Sequence, residues 1–308
     1  MCQVTNATLD GVRPMHRLLV MLLMLASCVR MPVPAKLPPE IAAVLPATCK
    51  QVLYVTAADD QSTSAQLRML QRTAAGTWTL VGETIPVRIG RHGLAWGAGE
   101  PALPVPAGAR IKKEGDGCAP IGIFRITQAF GAEASPSGIK LTYLRCTSHH
   151  FGIDDVRSRY YNQIVDGREV TCDWTSPETM IPSSGCYKLG AVIAHNPHNQ
   201  PGLGSCIFLH VWQGETIPTS GCTAMSEPHL RKVLTWLDPA ADPRLAQLVE
   251  LRQSAARSAC KKPALPRPRR IRRIQRRRGL DQCCRDRTGS LECPGERTCW
   301  HHCQRARR

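Results

Sequence analysis

From residue 51 to about 212 the chain alternates short apolar runs with clusters of glycine, proline and polar residues. That texture predicts β-strands and not long helices. Runs at 51–56, 77–81, 87–89, 122–126, 139–143 and 206–212 have strand length and composition. The stretch 66–72 fits either a helix or a second strand. A helix is predicted after Ser226, a good N-cap. Glu227 and Pro228 suit its first turn, and Leu230, Val233, Leu234 and Leu237 recur at helical spacing. It stops at Asp238-Pro239, because proline disfavours helix in the residue before it. A second helix is predicted over 243–257. Many short strands with few helices give a mainly β fold, a mixed sandwich or barrel with a few peripheral helices.

The ends of the chain read differently. Met15-His16-Arg17 followed by the apolar stretch 18–26 has the basic start and short hydrophobic core of an export leader. Residues 1–14 fit no leader, so translation is expected to start at Met15. Leu25-Ala26-Ser27-Cys28 resembles the lipobox of bacterial lipoproteins, where the cysteine thiol is acylated. An ordinary cleaved leader is the alternative. Residues 29–50 are rich in proline and alanine and read as a spacer, 51–257 as the folded domain, and 258–308 as an Arg- and Cys-rich tail expected to be disordered. No apolar run approaches the roughly 20 residues of a membrane span, which excludes a polytopic membrane protein.

Charge sharpens that division. The chain carries a net +16, and residues 261–308 alone hold 16 Lys+Arg against 4 Asp+Glu. The domain is therefore nearly balanced, and the basic character belongs to the tail. For an exported protein, anionic lipid headgroups or acidic wall polymers are more plausible partners of such a run than nucleic acid. Export also bears on the 15 cysteines, since thiols outside the cytosol tend to pair. Cys49, Cys118, Cys146, Cys172, Cys186 and Cys206 are an even set within the domain. Their connectivity is not readable from spacing.

Candidate chemistry concentrates at 205–225. As a strand, 206–212 places Ile207, Leu209 and Val211 on one face and Phe208, His210 and Trp212 on the other. A loop then leads to Thr219-Ser220-Gly221-Cys222, just ahead of the helix. A thiol is a good nucleophile only when a base or dipole helps it ionise, and His210 is positioned to do so. Gly221 allows a sharp turn, and the backbone N–H groups around Ser220 and Gly221 can stabilise an oxyanion. The bland readings are a disulfide for Cys222 and a core histidine for His210.

The local sequence resembles a known family. His210-x-Trp212-x-Gly214 followed by Pro218-Thr219-Ser220-Gly221-Cys222-Thr223-Ala224-Met225 is similar to the signature of the YkuD-type L,D-transpeptidases, cysteine enzymes of bacterial peptidoglycan. Similar blocks run from Val87 through Lys113–Gly117, Asp154–Asn162 and His195-Asn196 to about Pro239. The spacing of twelve residues between His210 and Cys222 and the alanine at 224 suggest a short-gap branch.

The resemblance implies that Cys222 attacks the bond before the terminal D-alanine of a tetrapeptide stem. His210 acts as base and then acid. The thioester passes to an amine, giving a 3–3 cross-link. Transfer to water would make an L,D-carboxypeptidase, and transfer to a lipoprotein lysine would anchor that protein. No metal or organic cofactor is required. Substrate contacts are expected from Thr219, Trp212, Arg157, Arg159, Tyr160, Asn162 and His195. A backbone carbonyl, Ser205 or His195 would orient His210. The non-enzymatic alternative is a disulfide-rich wall-binding lipoprotein.

Overall fold

The computed structural model describes residues 37–250. The expected leader with Cys28, the first part of the spacer and the basic tail lie outside the described residues. The element order is α1 Pro39–Val44, β1 Gln51–Ala57, β2 Ser64–Arg72, β3 Trp78–Arg88, β4 Leu94–Trp96, β5 Ala119–Gly131, β6 Tyr143–Arg145, β7 His150–Gly152, β8 Ile164–Asp166, β9 Glu178–Thr179, β10 Gly190–Ile193, β11 Phe208–Val211, β12 Thr223–Met225, α2 Glu227–Trp236 and β13 Arg244–Val249, with a 3₁₀ turn at Pro239–Ala241. The fold is mainly β, as the apolar pattern predicts.

The main sheet runs β10-β11-β12-β3-β2-β1-β13-β5-β4, with β6 added to β5. β10 also pairs with β5, so the sheet closes on itself and leaves fewer open edges. β8-β7-β9 form a separate small sheet. β1 shows why the core needs two covers: all seven of its residues are buried. Leu53, Val55 and Ala57 face the principal core with Leu67, Ile85 and Leu234. Val52 and Tyr54 face a second cluster closed by Leu37, Ile41 and Leu45.

That second cluster corrects the reading of 29–50 as spacer throughout. Proline at the first turn and a buried Ile41 make residues 39–44 a short helix that covers the sheet. The helix predicted over 243–257 is also corrected where it is described. Arg244–Val249 is a strand, parallel to β1 and antiparallel to β5. Its Leu and Gln residues favour helix locally, but a position between two strands with both faces buried overrides propensity. The open choice at 66–72 resolves as strand. The runs at 77–81 and 87–89 merge into β3, with a register shift against β2 near Leu67. Of 139–143, only Tyr143 enters a strand.

The predicted helix is α2, with Leu230, Val233 and Leu234 fully buried. Ser226 has the extended backbone of an N-cap, yet its hydroxyl pairs with His229 Nδ1 (2.9 Å) in place of a backbone amide. α2 follows β12 directly and packs against β11.

Candidate active site

β11 is where the two faces predicted for 206–212 separate. Ile207, Leu209 and Val211 enter the principal core. Phe208 joins a third cluster with Phe130, Cys146, Met180, Cys186, Tyr187, Cys206 and Cys222. β12 lies parallel to β11, pairing Leu209 with Thr223 and His210 with Ala224. Cys222 therefore stands beside Phe208, one strand over and on the face that carries His210. Thr223 is anchored from below, where its hydroxyl donates to Gln247 Oε1 (2.8 Å) and Gln247 Nε2 donates to the Pro120 carbonyl (2.9 Å). The strand predicted as a helix thus supports the residue next to Cys222.

A backbone carbonyl orients the imidazole. His210 Nδ1 lies 2.8 Å from the Val211 carbonyl oxygen. A carbonyl only accepts, so Nδ1 carries the hydrogen and Nε2 is left as the basic nitrogen. Tyr187 packs edge-on against the ring at 5.2 Å. Burial pulls the His210 pKa down to about 4, so the ring is neutral at rest.

Cys222 is equally enclosed; both residues are 7% exposed. Its sulfur accepts from the Phe208 N–H (3.3 Å) and its thiol donates to the Cys206 carbonyl (3.5 Å). No hydrogen bond joins it to His210. Burial first, then the Glu178 charge, pushes its pKa up to about 12. The resting pair is a neutral thiol and a neutral imidazole on one face, and the thiol is held toward the start of β11.

The loop ahead of Cys222 is stitched to the chain around Ile89. Thr219 N–H donates to the Ile89 carbonyl (2.9 Å) and Arg91 N–H to the Thr219 carbonyl (2.7 Å). Thr219 Oγ1 donates to the Cys222 carbonyl (2.6 Å) and accepts from the Gly221 N–H (3.1 Å). Gly221 has φ 147°, and a Cβ there would lie 3.0 Å from the Cys118 carbonyl oxygen, so both conformation and space favour glycine. Its N–H is occupied by Thr219 and is not a free oxyanion donor in this geometry. The Ser220 hydroxyl accepts from Arg91 Nη1 (2.7 Å).

A cleft of about 110 Å³ opens above these groups, lined among others by Glu178, Tyr187, His210, Trp212, Thr219 and Ser220. A roomier cavity, about 710 Å³, lies elsewhere, between α1, β4 and the loop at 103–110. It contains no thiol or imidazole, so the smaller cleft is the better candidate for acyl chemistry.

The expected substrate contacts divide. Thr219 and Trp212 line the cleft; Arg157, Arg159, Tyr160, Asn162 and His195 do not. Arg157 pairs with Asp155 (3.4 Å). Arg159 pairs with Asp173 (3.2 Å) and stacks over Tyr160 (5.2 Å). Asn162 is a clamp. Its Nδ2 donates to the carbonyls of His195 and Asn196 (3.0 Å each) and to Asn199 Oδ1 (3.1 Å), and its Oδ1 accepts from the Cys206 N–H (3.0 Å). That set ties two loops to the start of β11.

His195 is 1% exposed, with Nε2 accepting from the Ala98 N–H (3.3 Å) and Nδ1 without a partner among the described residues. Burial lowers its pKa to about 3. Ser205 does not orient His210 either, because its hydroxyl donates to Glu114 Oε2 (2.7 Å). Sequence reasoning missed Glu178, Tyr187 and Arg91, which share no spacing with the signature and meet it only through the fold.

The expectation of disulfides is also corrected. Among the described residues Cys49, Cys118, Cys146, Cys172, Cys186, Cys206 and Cys222 are all free thiols. A scaffold in which Cys222 is bridged does not describe this site. Residues 71–245, more than half of the chain, match a family model described as YkuD, L,D-transpeptidase catalytic domain. No curated protein matches the chain.

Proposed function

The chain belongs to the YkuD family of L,D-transpeptidase catalytic domains, and from that premise we propose that it is an exported peptidoglycan transpeptidase with Cys222 as nucleophile and His210 as base and acid. The observation that carries this reading is the hydrogen bond from His210 Nδ1 to the Val211 carbonyl, which leaves Nε2 basic on the face shared with Cys222.

In the proposed reaction the thiol leaves the Cys206 carbonyl and turns toward His210 Nε2. The imidazole takes its proton as sulfur attacks the carbonyl before the terminal D-alanine of a tetrapeptide stem. Sulfur and carbonyl carbon form a tetrahedral centre, its oxyanion held by the N–H groups of Ser220 and Cys222. The C–N bond breaks, His210 returns the proton to the departing D-alanine amine, and a thioester remains on Cys222. An amine of a neighbouring stem then takes the acyl group. Forming the ion pair only with substrate present matches the neutral resting state imposed by burial. The leader-like stretch 15–28 supports a cell-envelope location, with Cys28 as the point of lipid attachment.

The test is the Cys222→Ala variant incubated with tetrapeptide muropeptides and read by mass spectrometry. The expected result is loss of both D-alanine release and cross-linked product. Retention of either in the variant overturns the assignment. Adding or omitting an amine acceptor with the intact protein separates transpeptidation from carboxypeptidation.

A further inference from the structure

Resting on that functional reading, one carboxylate in the cleft has no assigned task. Glu178, in β9, shares the cleft with His210, Thr219 and Ser220. Tyr187 Oη donates to Glu178 Oε1 (2.6 Å), and the Tyr187 ring lies edge-on to His210 at 5.2 Å. Glu178, Tyr187 and His210 therefore form one continuous wall. Among the described residues no Lys, Arg or His makes an ion pair with Glu178. Its charged surroundings are of the same sign, Asp154 and Glu114. A partly buried carboxylate with one neutral donor and no cation is costly to keep unless something positive visits it.

We propose that Glu178 receives the acyl acceptor, binding the ammonium group of an amine-bearing stem peptide and taking a proton from it before attack on acyl-Cys222. The class of acceptor is thus a side-chain primary amine, not water. Burial raises the Glu178 pKa above the usual carboxylate value, which makes it a better proton acceptor. Glu178 lines the same cleft as His210, and after burial its charge is the next influence raising the Cys222 pKa.

The step balances as follows. One ammonium proton moves to the Glu178 carboxylate, and the freed nitrogen lone pair bonds to the thioester carbonyl carbon. The nitrogen's second proton passes to His210 Nε2 as the carbon–sulfur bond breaks, and from there to the departing sulfur. The products are an amide, the Cys222 thiol and one proton left on Glu178, which exchanges with solvent.

The experiment compares the whole protein with Glu178→Gln, which keeps an oxygen to accept from Tyr187, and with Tyr187→Phe, which keeps the carboxylate. Each is acylated with a tetrapeptide donor, then offered either a stem peptide with a side-chain ammonium or hydroxylamine, an amine that is uncharged near neutral pH. The ratio of cross-linked product to hydroxamate is measured against acceptor concentration. The assignment expects that ratio to fall at least tenfold in Glu178→Gln, chiefly through the KM for the ammonium acceptor, and less in Tyr187→Phe. An unchanged ratio overturns it, as does a selective loss of thioester hydrolysis, which would make water the group that Glu178 serves. If the unaltered protein forms no thioester with the donor, the functional reading fails and this assignment falls with it.

Discussion

Cys222 in the resting site is a guarded thiol. It is hydrogen-bonded to Phe208 and Cys206, and burial holds its pKa near 12, so the free thiolate is scarce at neutral pH. Brief iodoacetamide treatment at pH 7 should label exposed Cys172 at least ten times faster than Cys222, a difference that peptide mapping reads directly. Equal labelling would mean that Cys222 is already ionised. His210→Gln removes the basic Nε2 and should slow donor acylation by about 10²- to 10⁴-fold, the usual contribution of a positioned general base.

The two buried histidines also set an acid limit on stability. Their folded-state pKa values, about 4 for His210 and about 3 for His195, lie below the unfolded value of 6.5. The unfolded chain therefore binds protons that the native state refuses. Their contribution to stability is complete above pH 6.5 and is lost as pH falls to about 4 for His210 and about 3 for His195. At pH 5 each histidine should cost on the order of 2 kcal/mol. Thermal melts at pH 7 and pH 5 check this; an unchanged Tm would show that both rings ionise within the fold.

At the scale of elements, the parallel pair β11–β12 does the positioning, and the loops at its ends hold it in place. Gly221→Ala should lower stability by about 1–3 kcal/mol and acylation with it, through the strained φ and the approach to Cys118. Asn162→Ala removes four hydrogen bonds that join two loops to Cys206 and should cost about 2 kcal/mol or more. That variant touches no cleft residue, so a melting curve with an acylation assay separates positioning from contact.

The same elements show what a sequence can disclose. The alternation of 206–212 placed His210 and Phe208 on one face, and the stripe through Leu230, Val233 and Leu234 placed α2, because each pattern is local and periodic. β13 was misread, since Arg244–Val249 becomes a strand only when β1 and β5 flank it. Asn162 and His195 lie in blocks similar to the family's, yet their side chains hold loops together instead of facing the cleft. Similarity in sequence marks where residues sit without stating what their polar atoms do.

For the molecule as a whole, closure of the sheet by the β10–β5 pairing brings distant segments to one cleft: Glu178 from β9, Tyr187 ahead of β10, His210 from β11, and Thr219 and Ser220 ahead of β12. None of this convergence has a sequence period, which is why Glu178 and Tyr187 stayed hidden in the sequence while His210 and Cys222 stood out in it as candidates. The domain also begins earlier than composition suggested. Truncation at Gln51 would expose the cluster now covered by Leu37, Ile41 and Leu45 and should cost about 4 kcal/mol or more. A clear drop in Tm for the truncated protein is the expected outcome; an unchanged Tm would return 37–50 to the role of spacer.

The most direct measurement is to trap the acyl-enzyme with a tetrapeptide donor or a carbapenem and map the adduct by peptide mass spectrometry. The adduct should sit on Cys222 and form at least a hundredfold more slowly in His210→Gln. An adduct on Cys186, Cys206 or Cys172, or one that forms equally fast without the imidazole, would contradict the account.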